Sequence, residues 1–467
     1  MNTEKAEQLR KKHPRFTYEG FDLEPLDDAL RIRFRFILDP DILFTPETII
    51  ESVNGSRIGR LGPGVLESLA FHLGLVEMMS YWKAACSPEI IVKAGFLDPQ
   101  QVAWWLDLLL HGMQEFFYMN QIDFKDPDFL KVSIPDQTGV PLRRYEGPLP
   151  QDRSLVLVSG GKDSAFTLQF LREAGQEFTC LSLNPTRAAL AIIQQAGCEK
   201  PIIVRRTLDP RLLKLNEAGY LNGHTPFSAL LAFLGVICAV LFSFGRVVTS
   251  NERSSDEGHV QFLGSWVNHQ YSKTFRFEGR FREYAKAYLA QHVNYFSLLR
   301  PLYELQVTRL FTRYPQYLDL FRSCNRNLRE NSWCRRCAKC LFIFTGLYPF
   351  LTAKEMTRIF GEDLFERDEA IPLLQELVGL SRHKPFECVG TVEETLAALY
   401  LSLERAKAQR DPLPPVLRYV EAHLLPKHPD LPGLAQEILS GWSENHYLPQ
   451  EYARLLKDRI HERHETR

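Results

Sequence analysis

Leu155-Val156-Leu157-Val158-Ser159-Gly160-Gly161-Lys162-Asp163-Ser164 is the stretch that decides the fold. Its four apolar residues read as a buried strand, and Ala165-Phe166-Thr167-Leu168-Gln169-Phe170-Leu171 reads as a helix, so the glycine pair lies in a strand-to-helix turn. Gly160 and Gly161 let backbone N–H groups come close to an anion, the helix start adds partial positive charge and Lys162 adds a full one. A polyphosphate is the ligand such a turn suits.

Apolar segments at 178–183, 201–204 and 247–249 alternate with helical stretches, as in an α/β fold with a parallel sheet and right-handed crossovers. Ligands in such sheets sit beyond the C-terminal strand ends, where Ser159–Ser164, Asn184, Arg205 and Arg206, and the run Ser250-Asn251-Glu252-Arg253 fall. Upstream, Phe16-Thr17-Tyr18 and the alternating Leu30-Arg31-Ile32-Arg33-Phe34-Arg35-Phe36 predict a strand pair followed by helices, and Glu146-Gly147-Pro148-Leu149-Pro150 breaks the pattern. The organisation predicted is an N-terminal α+β domain over 1–148, a central phosphate-loop domain over 149–350 and a helical region over 351–467. Amphipathic segments in the last lie near 352–360, 392–408, 416–425 and 450–463.

A chain of 467 residues holds two or three domains of this kind. Its net charge of −1 gives no bulk attraction to nucleic acid or anionic membrane, so a small-molecule substrate is expected. The uncharged run 228–245 is long enough to be taken for a membrane span. Its position between two strand segments of one sheet makes it a buried crossover helix instead, and no membrane insertion is expected. The polar first residues lack the apolar core of an export signal, and nine cysteines, an odd number, fit reduced thiols; both predict a cytoplasmic protein. Oligomeric state is not set by the sequence.

Cys324, Cys334, Cys337 and Cys340 have the spacing of a closed four-thiolate site, suited to a structural Zn²⁺, with an iron–sulfur cluster and free thiols as the alternatives. Glu252, Arg253, His269 and Lys273 lie in polar stretches amid apolar sequence. There Glu252 is a candidate magnesium ligand, Arg253 and Lys273 candidate anion partners and His269 a candidate base, against the alternative of a solvated loop. Gly223-His224-Thr225-Pro226-Phe227-Ser228 is either a helix cap or a second nucleotide contact, and Cys388, beside Glu387 before a helix, is either a reactive thiol or a buried inert one.

The glycine turn is not a Walker A loop, because Asp163 follows Lys162 where Ser or Thr belongs and Val156 takes the place of that loop's first glycine. It resembles the SGGxDS loop of PP-loop (adenine nucleotide alpha hydrolase-like) ATP pyrophosphatases. The blocks SNERSSDEG (250–258), VNHQYSKTFRFE (267–278), YFSLLRPLYELQ (295–306), FRSCNRN (321–327), WCRRCAKCLFIF (333–344) and KPFECVGTVEE (384–394) together resemble the UDP-N-acetyl-α-D-muramoyl-L-alanyl-L-glutamate epimerases, over about Phe16 to Glu394. That resemblance implies ATP-dependent inversion of the terminal L-Glu of a UDP-muramoyl dipeptide through a carboxyl adenylate, with AMP and pyrophosphate released, in peptidoglycan precursor synthesis. It also implies pyrophosphate on Ser159, Gly160, Gly161, Lys162, Asp163 and Ser164, and adenosine near Asn184. His269, His224 and Cys388 become acid/base candidates, and Arg253, Lys273 and Arg300 candidate partners for the substrate's anionic groups. The alternatives are an adenylating enzyme of nucleobase or tRNA modification, since 7-cyano-7-deazaguanine synthases combine a similar loop with similar cysteines, and a non-catalytic nucleotide-binding protein stabilised by zinc.

Overall fold

The computed structural model describes residues 2–135, 143–381, 383–409 and 412–462, without the side chains of residues 2 and 3. The expected hairpin forms from β1 (Arg15–Leu26) and β2 (Ala29–Leu38). Strict alternation drives it: Leu30, Ile32, Phe34, Phe36 and Leu38 are buried, while Arg31, Arg33 and Arg35 stay half-exposed between them. The short strands β3 (Ile42–Phe44) and β4 (Glu47–Glu51) pair with β2, and β5 (Glu89–Val92) and β6 (Lys131–Ser133) extend the sheet beyond β1. The central strands are β7 (Ser154–Leu157), β8 (Phe178–Leu183), β9 (Ile202–Thr207) and β10 (Arg246–Thr249). A hairpin of β11 (Val260–Phe262) and β12 (Ser265–Val267) stands apart, and β13 (Asn294–Ser297) closes one sheet edge.

Among the described residues the large sheet has 11 strands in the order β13-β10-β7-β8-β9-β4-β2-β1-β5-β6, with β3 on β2. The strands from β13 to β9 are parallel. Strands from both sides of the expected 148/149 boundary therefore share one sheet, joined by the antiparallel pair β4–β9. That join uses residues beyond the predicted end of the 201–204 strand, since Arg205, Arg206 and Thr207 pair with Ile49, Thr48 and Glu47.

The central strands are covered on both faces. Leu155 and Val247 enter one apolar core with the N-terminal helices, while their neighbours Val156 and Val248 enter another with the C-terminal ones. Burial on both faces explains why these strands read as unbroken apolar runs rather than alternating ones. The 228–245 run forms the buried helix Phe227–Phe242 between β9 and β10, and a Cβ at Gly235 would come within 2.8 Å of Val247. No helix among the described residues is long and apolar enough to cross a membrane. The cap expected within 223–228 is not made by a side chain; this helix starts after Pro226 with no side-chain cap bond.

The amphipathic C-terminal segments appear as Ala353–Phe360, Val392–Gln409, Pro415–Tyr419 running into a π-helical turn Val420–Leu424, and Gln450–His461. Arg463, the last residue of the fourth predicted segment, lies outside the described residues. The last helix docks on the sheet: Tyr452 accepts from Arg246 Nη1 at 2.9 Å and its ring lies 5.9 Å from that of Phe296. At the opposite, C-terminal ends of β7, β10 and β13, three neighbouring parallel strands release the chain side by side.

Candidate active site

The turn after β7 is tightly packed. Gly160 has φ +91°, and a Cβ there would lie 2.7 Å from the backbone nitrogen of Ala189, so a side chain is excluded both by conformation and by space. Its carbonyl accepts from Arg322 N at 3.0 Å, and Ser164 Oγ accepts from Ser159 N at 3.2 Å, which folds the turn back on itself. Gly161 caps the helix Lys162–Glu173 without a side-chain bond, leaving first-turn N–H groups for an anion.

Lys162 is fully buried and ion-paired with Asp163 and, at 3.0 Å, with Glu304 Oε1. Burial alone would lower its pKa, but Asp163 and Glu304 outweigh that and raise it, so the ammonium charge is fixed. Carboxylate oxygens of Asp163, Glu252 and Glu304 lie within 4.8 Å of one another. The three follow β7, β10 and β13 respectively, and the parallel order of those strands brings them together. Burial first, and the Asp163 charge second, push the pKa values of Glu252 and Glu304 up. Hard oxygen donors under mutual repulsion are a donor set suited to a divalent cation such as Mg²⁺. Glu304, within the block 295–306, has no sequence signal of its own and emerges only from the topology.

Beside this trio lies a second cluster. Lys273 donates to Cys388 Sγ at 3.2 Å and interacts electrostatically with Glu252, so it bridges the two groups. His269 hydrogen-bonds Glu115 and lies beside the Cys388 thiol, with which it interacts electrostatically. Burial would raise the Cys388 pKa, but Lys273 and His269 reverse that and hold it at about 5. Burial would likewise lower His269, yet Cys388 and Glu115 lift it to about 9. Around neutral pH the pair is therefore thiolate and imidazolium. His224, whose ring centroid is 4.5 Å from that of His269, is driven down to about 3 by burial and by that neighbouring charge, and stays neutral. Glu115, from the helix Gln114–Met119, carries no signal in the sequence.

Cys324, Cys334, Cys337 and Cys340 converge with all four sulfurs within 4.8 Å of one another. Backbone N–H groups point at them: Asn327 and Cys334 donate to Cys324 Sγ at 3.4 Å, Arg336 to Cys334 Sγ at 3.5 Å and Cys340 to Cys337 Sγ at 3.4 Å. A soft, closed donor set with such bonds fits a structural metal. Cys337 also caps the helix Ala338–Leu347. From that helix Lys339 donates to the Cys388 carbonyl, and its backbone nitrogen donates to Glu387 at 2.7 Å, so the cysteine knot holds the loop that presents the thiol.

Other candidates are placed differently. Asn184 is occupied by the backbone of Arg206, accepting from its nitrogen at 3.0 Å and donating to its carbonyl at 2.8 Å, so its amide ties the ends of β8 and β9 together. Arg300, 1% exposed, is not open to a ligand: it pairs with Glu278 at 3.0 Å and bonds Glu252 O, Ser255 Oγ and Lys273 O. It supports the Glu252 and Lys273 backbones instead. Arg253 stacks its guanidinium 3.9 Å from the ring centroid of Tyr303, the residue before Glu304.

Comparison with known proteins follows the same span. The MurL N-terminal domain matches residues 7–298 and the MurL C-terminal domain residues 320–428. The chain is similar to the UDP-N-acetyl-alpha-D-muramoyl-L-alanyl-L-glutamate epimerase of a Micromonospora species, 37% identical over 394 residues covering 82% of this chain and 84% of that protein. It is also similar to the proteins of the same name from Salinispora tropica, 37% identical over 358 residues and 75% of each chain, and Xanthomonas oryzae pv. oryzae, 34% identical over 347 residues, 73% of this chain and 75% of that one. Lys162, Glu252 and His269 fall in the first matched domain, the cysteine knot and Cys388 in the second.

Proposed function

The chain belongs to the MurL family, and from that premise we propose that it inverts the terminal L-glutamate of UDP-N-acetylmuramoyl-L-alanyl-L-glutamate to D-glutamate at the expense of ATP, for peptidoglycan precursor synthesis. The observation that carries it is the junction at Lys273: a phosphate-type turn with three carboxylates on one side and a thiolate–imidazolium pair on the other.

The α-hydrogen of a free glutamate is barely acidic, since its removal places a carbanion beside a carboxylate. An oxygen of that carboxylate attacks the α-phosphorus of ATP, the bond to the bridging β-phosphate oxygen breaks, and pyrophosphate leaves on Ser159–Ser164 with Lys162 as its counter-charge. Asp163, Glu252 and Glu304 would hold Mg²⁺, which supplies charge neutralisation at the phosphates. The acyl adenylate now lacks the opposing charge. The Cys388 thiolate takes the α-proton, the planar enolate turns its other face to the pair, the adjacent His269 imidazolium returns a proton there, and the proton on sulfur passes to the neighbouring imidazole to restore the pair. Water then attacks the acyl carbon and AMP departs. Cys324, Cys334, Cys337 and Cys340 would bind a structural Zn²⁺.

Incubation of the purified protein with the L-glutamyl substrate, ATP and Mg²⁺ tests this. D-glutamate in the acid-hydrolysed product, with AMP formed and neither seen without ATP, is the expected result; inversion without ATP would overturn the adenylate step.

A further inference from the structure

Directly behind the thiol cluster opens a cleft of about 800 Å³ lined by Tyr118, Glu257, His259, Phe262, Trp266 and Lys384, among others. It adjoins the candidate site through one ring: Phe386, two residues before Cys388, lies 6.4 Å from His269 and 5.6 Å from His259, centroid to centroid.

Two features of its wall are unexplained by folding. Trp266 on β12 is 59% exposed. The indole rests on Gly258, where a Cβ would lie 2.9 Å from its ring, so the glycine seats it and leaves the remaining ring surface bare. The other is His259, 4% exposed. Its Nδ1 accepts from the backbone nitrogen of His269 at 3.4 Å, which puts the imidazole proton on Nε2. That Nε2 has no partner at hydrogen-bond geometry among the described residues, although the Glu387 carbonyl lies near enough to favour its proton. Burial and the charge of Lys384 hold His259 at about 3, so it is a neutral N–H donor throughout the working range. A buried donor without an acceptor costs stability unless a ligand supplies one. Beside it the Lys384 ammonium is paired with Glu257 on the same wall, so it can serve a ligand anion by exchanging that carboxylate for it.

We propose that this cleft binds the nucleotide–sugar end of the substrate, with His259 Nε2–H and Lys384 on the diphosphate oxygens and Trp266 stacked on a flat face of the sugar or uracil. The assignment rests on the epimerase reading given above. A UDP-muramoyl dipeptide whose glutamate reaches Cys388 must leave the site somewhere, and the cleft begins one aromatic ring away. The polar groups fix its diphosphate while the indole reads the ring, the usual division in small-molecule sites.

Calorimetric titration with UDP-N-acetylmuramate, which carries no dipeptide, tests the cleft separately from the chemistry. The wild-type chain should bind it, Trp266→Ala and Lys384→Ala should each weaken binding by about tenfold or more, and both should keep wild-type ATP affinity as evidence of folding. The same two variants should raise KM for the complete substrate in proportion. Unchanged UDP-N-acetylmuramate affinity in both variants, or no binding to the wild type while it turns over the full substrate, would overturn the cleft assignment. If the wild type binds UDP-N-acetylmuramate through Trp266 yet never inverts the dipeptide, the epimerase reading fails and the cleft stands.

Discussion

The phosphate turn and the thiol cluster are neighbours built in opposite ways. Residues 159–164 form a local device: strand, two glycines and helix start are consecutive, and the surroundings only tighten the turn through Ala189 and Arg322. The thiol cluster has no local form. Glu115 arrives from the N-terminal helices, His224 from before the central crossover helix, His269 and Lys273 from after β12, and Cys388 from the helical region. In the proposed reaction the first device handles phosphate charge and the second protons, so variants in the two regions should fail in different ways.

The largest effect is expected from Cys388→Ala. Inversion should fall by roughly 10²–10⁴-fold, the range for removing a general base, while AMP formation continues within a few-fold as the adenylate forms and hydrolyses unchanged. Coupled assays of AMP and D-glutamate on one sample measure the ratio. Equal loss of both would break the separation of the two regions.

Lys162→Met should instead lower AMP formation and inversion together, by roughly 10²–10³-fold, as expected for a lost charge on the leaving pyrophosphate. Circular dichroism checks that the variant is folded. Retained AMP formation would remove the turn from the chemistry.

The readable parts of the chain were those whose chemistry is contiguous. The turn, the strands 155–158 and 178–183, the buried helix within 228–245 and the four cysteines all carry their reason in neighbouring residues. His269, His224, Cys388 and Lys273 could be picked as polar outliers, but which of them meet depends on the fold. Glu115, Glu304 and Lys339 are single charged residues in helices and gave no pattern to detect. Asn184 and Arg300 show the converse, because a polar residue at a strand end or in a characteristic block is also what a backbone clamp or a buried ion pair requires. The β4–β9 join that makes one sheet was equally hidden, since a strand's partner more than 150 residues away leaves no local trace.

pH separates the regions more gently. The Cys388 pKa is depressed, so the thiolate exists above about 5 and is lost as pH falls through it; the His269 pKa is raised, so the imidazolium exists below about 9 and is lost as pH rises through it. The profile of kcat/KM for inversion should be flat between these limits and fall on both sides, with Cys388→Ala removing the acid limb from what activity remains. AMP formation should not share both limbs. An inversion profile with a single limb near the ordinary cysteine range would show that the thiolate–imidazolium pair is not the working state.

The smallest effect on chemistry is expected at the cysteine knot. Protein purified without chelator should contain about one zinc per chain, as one closed four-thiolate site demands. Cys337→Ser should lose it and lower Tm, with inversion and AMP formation reduced together, because Lys339 holds the Cys388 carbonyl and pairs with Glu304 at 3.8 Å, and Arg322, two residues before Cys324, donates to the Gly160 carbonyl. Metal-free protein, with the four cluster thiols titrating like the other five, would contradict the site.

The most direct test is a single turnover in deuterated water, with excess enzyme equilibrated in that solvent, ATP, Mg²⁺ and UDP-N-acetylmuramoyl-L-alanyl-L-glutamate. The predicted product is the D-glutamyl compound carrying deuterium at the glutamate α-carbon, delivered from His269, with one AMP per inversion. A D-glutamyl product that keeps its original α-hydrogen, or that forms without AMP, would contradict the account.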